Sequence, residues 1–226
     1  MAARDFARFV LELRRIDPVA DAPAAGRTPP AEAATRAALD AARGVIDSDA
    51  ATVAWERALR APVWSGNPLW IHADRLRPNV LLDCGRLSAV IYFGSVGVGD
   101  PATDVIAARS VFGHSGRSVF RDALDVDDGT WNRARGIALL QAAVIIPYHL
   151  ETNPGFVALA GCTVGEIVSG DRPSADRPSA DRPSAAQRGP TQRVPNQRGP
   201  NPRGLTRPRL ASTIGVLTRS VLAPIK

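Results

Sequence analysis

Phe6, Phe9, Val10, Leu13 and Ile16 recur at the spacing of one helical face, and Asp17-Pro18 ends that pattern. A Pro/Gly/Ala-rich stretch, 18–30, reads as a loop. Thr28-Pro29-Pro30 with Glu32 then resembles a helix start, and the Ala-rich stretch 31–43 has high helix propensity. Asp47-Ser48-Asp49 predicts the start of a third helix reaching about Leu59, with Val53 and Trp55 as its large apolar residues. The period then shortens. Leu69–His72, Val80–Asp83 and Leu87–Phe93 read as strands, with Cys84-Gly85-Arg86 as a tight hairpin turn. Helices resume at Asp100-Pro101, to about Phe112, and again over 116–124 and from Asp128 to Ile146. The last of these is apolar nearly all round from Ile137, so it is expected to be buried. Asn153-Pro154 opens a final helix with a stripe of Phe156, Leu159, Ala160, Val164 and Ile167.

At residue 171 this patterning stops. Asp-Arg-Pro-Ser-Ala occurs three times in tandem from Asp171 to Ala185, followed by Gln-Arg-Gly-Pro units at 187–190 and 197–200. Apart from alanines, Val194 is the only aliphatic residue between 171 and 204, too little apolar surface to offset ordering entropy. Residues 171–204 are therefore expected to be disordered. The segment Leu205–Lys226 carries Leu210, Ile214, Val216, Leu217, Val221 and Leu222, which predicts a short helix. Two units follow: a folded body, 1–170, and a basic Pro/Arg-rich low-complexity tail, 171–226.

Charge sharpens that division. The formal charge of the chain is +6, but residues 1–170 hold 17 Arg against 19 acidic residues, whereas 171–226 hold 11 basic residues against three Asp. The basic character belongs to the tail. Arg among Pro, Gly, Gln and Asn attracts polyanions without sequence preference, and the tail has no aromatic ring on which bases could stack. No specific nucleic-acid partner is expected. All but one of the 28 basic residues are Arg, and the single lysine is Lys226, which excludes lysine-based chemistry in the body.

Other classes fall on similar grounds. The longest nearly apolar run, Ile137–Tyr148, has 12 residues with Gln141 inside, against the roughly 20 needed to cross a bilayer. Asp5 and Glu12 occupy positions where a signal peptide needs apolar residues. Cys84 and Cys162 lie 78 residues apart without a neighbouring His–Cys pattern, so they read as free thiols of a cytoplasmic protein rather than zinc ligands or a disulfide.

The stretch that carries chemistry is Leu69–Asp104, LWIHADRLRPNVLLDCGRLSAVIYFGSVGVGDPATD. A strand delivers His72-Ala73-Asp74 into a loop, and Asn79 stands five residues after Asp74. An Asp at a strand end can accept a proton from a hydroxyl, and an amide five residues later can turn back to hold a metal. Ile91-Tyr92-Phe93-Gly94 and then Gly99-Asp100-Pro101-Ala102 with Asp104 follow in order.

This segment resembles the aminoglycoside phosphotransferase family, small-molecule kinases of the protein-kinase-like fold. Its usual pattern is H-G-D-x4-N, then I-D-F-G or I-D-W-G, then G-D-P-A-x-D. The likeness extends over about residues 5–170, and position 92 lies 18 residues after Asp74, as the second-motif aspartate would. The resemblance implies an α+β, mainly helical fold: a protein-kinase-like C-lobe with a small β-hairpin region, plus the disordered C-terminal tail. It implies ATP and magnesium as the family's cofactors, a small-molecule hydroxyl substrate of aminoglycoside type, Asp74 as catalytic base and Asn79 as a magnesium ligand. His72, Asp100 and Asp104 would brace the loop. Asp127, Asp128, Glu151 and Glu166 could attract a polycationic substrate, but a solvated helical face is the simpler explanation of them.

The departures are specific. Tyr92 stands where the family has the magnesium-chelating aspartate, and a phenol, neutral at pH 7, cannot replace a carboxylate for a hard cation. Ala73 replaces a glycine, Arg75-Leu76-Arg77-Pro78 replaces L-H-P-G, and Ser95 stands where an acidic residue is common. The family's N-terminal lobe carries a glycine-rich loop and a phosphate-binding lysine. The sequence has neither, so it is expected to correspond to the C-lobe alone, catalytically impaired, or to serve as a non-catalytic binding module. The surface that such a lobe would cover, with Phe6, Phe9 and Leu82 as candidates, is expected to be exposed and to promote self-association.

Overall fold

The computed structural model of the chain describes residues 1–26, 32–74 and 76–170. The expected tail, 171–226, the start of the second helix at 28–31 and Arg75 lie outside the described residues. The helices are α1 (Ala2–Arg14), α2 (Glu32–Ala41), α3 (Ser48–Leu59), α4 (Ala102–Val105), α5 (Ala107–Ser110), α6 (His114–Leu124), α7 (Asp128–His149) and α8 (Pro154–Val168). The strands are β1 (Leu69–Ile71), β2 (Val80–Asp83), β3 (Arg86–Val90) and β4 (Gly97–Gly99). This is the mainly helical α+β architecture that the sequence implies.

α7 forms the middle of the core. From Gly136 to Ile146 every residue is buried, and α2, α3, α4 and α8 pack around it. Small side chains make this possible. At Gly136 an added Cβ would lie 2.8 Å from the Cβ of Ala58, so α3 and α7 cross at a distance that only glycine allows. On the other side, Phe6 of α1 packs against Phe112 and Phe120, with ring centroids 5.9 and 5.7 Å away. The caps agree with the sequence signals. Asp47 accepts from Ala50 N, Asp127 from Thr130 N and Asn153 from Phe156 N, with Pro154 in the first turn of α8.

The small sheets place the loops that matter. β2 and β3 form a hairpin whose Cys84 and Gly85 both have positive φ, a two-residue turn with the twist a hairpin needs. β1 pairs antiparallel with β4, Leu69 opposite Gly99 and Ile71 opposite Gly97. Residues 23–25 lie over β4, Ala25 N donating to Val98 O and Val98 N to Pro23 O. A Cβ on Gly99 would fall 2.2 Å from Ala25 O and one on Gly97 2.3 Å from Pro23 O. These glycines exist so that two backbones can touch.

Several expectations need correction. Ile16 lies beyond α1 and is exposed, and Val53 points to solvent, because the buried face of α3 runs through Ala51, Ala54 and Trp55. β3 ends at Val90, not Phe93, since the chain turns left-handed at Tyr92. β4 has no sequence signal, being glycine at two of three positions. The helix expected over 100–112 is two short pieces meeting at Ile106. α7 runs through Pro147 to His149, the proline lying in the last turn and forgoing one ladder hydrogen bond, to Ala143 O. Phe6 is fully buried rather than exposed, and Phe9 is half-buried. The exposed apolar residues near the hairpin are Leu81, Leu82, Tyr92 and Phe93.

Candidate active site

β1 and β4, side by side, end in the two loops that build the site. After Ile71 come His72, Ala73 and Asp74, and after Gly99 come Asp100 and Pro101 leading into α4. Asp104, on the first turn of α4 and wholly buried, joins the two loops. Its Oδ1 accepts from His72 N at 3.1 Å and from Ala73 N at 3.2 Å, and its Oδ2 lies 3.3 Å from His72 N. A buried carboxylate of this kind is stable only where donors replace its water.

His72 links the loop to the far side of the site. Its ring is fully buried, meets Phe93 edge-on at 4.7 Å, and has Nε2 3.0 Å from Ile91 O. Asp74 N approaches Nδ1 at 3.4 Å. Nδ1 is therefore the acceptor and Nε2–H the donor to Ile91. Asn79, buried in the short turn Arg77–Asn79, donates from Nδ2 to Asp74 O at 3.0 Å, and its main-chain carbonyl accepts from Ile91 N at 3.0 Å. Asp74, half-buried, is thus set between a histidine and an asparagine that are both tied to residue 91.

Ala73 has φ +64°, in the left-handed region where an L side chain costs about 1–2 kcal/mol. Its replacement of glycine, small by volume, is a matter of backbone strain. Tyr92 has φ +63° as well, with its ring half exposed. Among the described residues it makes no side-chain hydrogen bond, and no group of three or more His, Cys, Asp or Glu could hold a metal ion. At the two positions where the resemblance expects magnesium ligands, Asn79 offers an amide oxygen and Tyr92 a phenol. They do not fit a magnesium ion that bridges phosphates, which draws on carboxylates.

Asp100 accepts from Ala102 N at 2.8 Å, just ahead of α4, and forms a two-pronged pair with Arg133, Nε to Oδ2 at 2.8 Å and Nη2 to Oδ1 at 3.2 Å. Arg133 also donates to Pro62 O and Thr130 Oγ1 and lies over the Trp64 ring. Arg14 donates from Nη2 to Pro101 O at 3.0 Å. Burial holds its guanidinium below the usual range, opposed by the charges of Asp104 and Asp100. Sequence reading missed both arginines, because Arg14 and Arg133 look like any charge on an amphipathic helix. Two acidic groups in one tight turn signal that cations must be near, but not which of the body's arginines supply them.

The four acidic residues considered for a polycation are mostly engaged elsewhere. Asp127 caps α7, and its bonds to Thr130 hold its carboxyl below the usual range. Asp128 pairs with Arg121 and Glu166 with Arg117, while Glu151 is exposed.

The sequence model of the phosphotransferase enzyme family matches residues 1–138. Among solved structures, a macrolide 2'-phosphotransferase type I is similar at 22% identity and a TM-score of 0.47, over 72% of this chain and 58% of that one. The ADP-bound aminoglycoside phosphotransferase APH(2'')-Ib is similar at 18% identity and a TM-score of 0.41, over 74% and 61%. The apoenzyme of macrolide 2'-phosphotransferase MphH from Brachybacterium faecium is similar at 21% identity and a TM-score of 0.40, over 72% and 60%. The chain spans about three fifths of the length of these structures. No curated protein matches the sequence.

Proposed function

The chain belongs to the phosphotransferase enzyme family, and we propose that it carries the acceptor side of phosphoryl transfer to a small-molecule hydroxyl with the metal side impaired. Asp74 is the base in this reading. Its carboxylate orients the acceptor hydroxyl and takes its proton as the phosphoryl group arrives. His72, Asn79 and Asp104 hold the loop that presents it, and Arg133 and Arg14 hold the turn beneath. An aminoglycoside-like or macrolide-like alcohol is the substrate class, by analogy with the proteins to which the chain is similar.

The observation that carries the impairment is Tyr92. Phosphoryl transfer relies on charge neutralisation at the phosphates, and a neutral phenol withdraws one of the groups that would hold a cation there. A second reading follows from the same residue: a module that binds the acceptor without transferring phosphate. Both readings place the protein in the cytoplasm, with Cys84 and Cys162 as exposed free thiols. Among the described residues no helix is long and apolar enough to cross a membrane. The exposed Leu81, Leu82, Tyr92 and Phe93 suit self-association.

Titration calorimetry with ATP and magnesium tests the impairment. The expected dissociation constant is weaker than about 100 μM, roughly −5.5 kcal/mol. Tighter binding overturns it. A single-turnover assay on aminoglycosides, with Asp74→Asn as background, separates the two readings: product that depends on Asp74 supports the base, and acceptor binding without product supports the module.

A further inference from the structure

α8 is apolar on more than its inner side. Ala160, Val164 and Ile167 are buried in the core, yet no charged residue occurs from Pro154 to Gly165, and the outer side presents Ala158, Gly161, Cys162 and Gly165. A helix without a polar face belongs where both sides are covered. Here one side opens into a groove of about 710 Å³. Its walls include Val45 and Leu150, 42% and 50% exposed, large apolar side chains that gain from being covered. A Cβ on Gly161 or Gly165 would meet nothing within 4 Å. Their small size serves no packing within the described fold, and it admits the close approach of another helix.

The chain carries a segment that matches. Leu210, Ile214, Leu217 and Val221 recur at intervals of four, three and four residues, the apolar stripe of one helical face. Around them stand Arg207, Arg209, Arg219 and Lys226, with no acidic residue from 205 to 226. Glu151, exposed, follows Leu150 of the groove wall and offers those cations a partner, whereas Glu166, which also lines the groove, is already paired with Arg117. The distance is easily bridged. Val168 and Leu210 are 42 positions apart, and a chain of that length reaches about 35 Å. The 15 residues of α8 measure only about 22 Å.

We propose that the segment 205–226 of this chain packs its Leu210–Val221 stripe into the groove along α8. The linker makes this an intramolecular event, at an effective concentration of about a millimolar, so even a modest intrinsic affinity fills the groove. A second copy of the chain is the competing occupant, but it has no such advantage in dilute solution.

Cys162, in the groove, and Cys84, on the distant hairpin, are both exposed and free among the described contacts, which supplies a reporter and an internal reference. The full chain and an Ile214→Asp, Leu217→Asp double variant are labelled with a thiol reagent, and the rate at each cysteine is read by peptide mass spectrometry. Cys162 is expected to react about tenfold slower in the parent, as an intrinsic dissociation constant of about 100 μM gives at that effective concentration. Cys84 is expected to react equally in both, and the ratio should not change with protein concentration. Equal rates at Cys162 in the two proteins overturn the proposal. Protection that grows with protein concentration also overturns it, and assigns the groove to a second copy.

Discussion

The two sides of the candidate site are built differently. On the Asp74 side, His72, Asn79 and Asp104 are buried and each is tied to backbone groups of a neighbouring segment. On the other side Tyr92 stands half exposed, with no side-chain hydrogen bond among the described residues. Removing a braced residue strands buried polar groups, whereas changing residue 92 strands nothing. His72, Asn79 and Asp104, each with a structural duty, match the family pattern, whereas Tyr92, which departs from it, makes no such bond among the described residues. The presence of His72, Asn79 and Asp104 is therefore weak evidence for catalysis. The evidence that bears on catalysis is at residue 92.

The largest test of this contrast is Asp104→Ala. It leaves His72 N and Ala73 N without acceptors and removes the negative charge facing Arg14, so the loss of stability should be about 3–5 kcal/mol in urea denaturation. A loss below about 1 kcal/mol would mean that the braced side is not braced.

Ala73→Gly should act in the opposite direction. It relieves a left-handed alanine and is expected to stabilise the fold by about 0.5–1 kcal/mol, read by the same measurement. A destabilising outcome would show that φ +64° is not the conformation of the loop in solution.

Tyr92→Asp is expected to change stability by less than about 0.5 kcal/mol, because the side chain holds nothing and aspartate tolerates the left-handed region better than tyrosine. A larger loss would give Tyr92 a structural duty and dissolve the contrast.

The smallest effect belongs to neither side. Burial beside the rings of Tyr148 and Phe156 holds His149 below the ordinary histidine value of 6.5. The unfolded chain then takes up the proton first. Stability from this group is complete above about pH 6.5 and is lost as pH falls toward the lowered value. Denaturation midpoints between pH 7.5 and 5, compared with His149→Gln, should show that slope in the parent alone. The carboxyl of Asp5, held low by its bond to Arg86, titrates in a more acidic window and does not contribute to it.

Local chemistry was legible wherever it was short in range. Asp47, Asp127 and Asn153 announced their caps, Cys84-Gly85 its turn, and the spacing of Asp74, Asn79 and Gly99-Asp100 the order of the loops. β4 was illegible, because Gly97 and Gly99 are chosen by the backbone of residues 23–25, more than 70 positions away in the chain. The break at Ile106 and the exposure of Val53 escaped for a related reason: packing partners, not propensity, decide which face is inside.

By itself the sequence determined the helical body, the composition change at 171, and the spacing at Asp74 and Tyr92 to which the family resemblance attaches a candidate base and an absent carboxylate. Each of these depends on residue type or on spacing within a few positions. Only the tertiary structure decided that Asp104 would join the two loops, that Arg14 and Arg133 would neutralise the turn, and that Ala73 would be strained. Buried charges are stabilised by whichever donors the fold brings within about 3 Å, and chain separation carries no record of that distance.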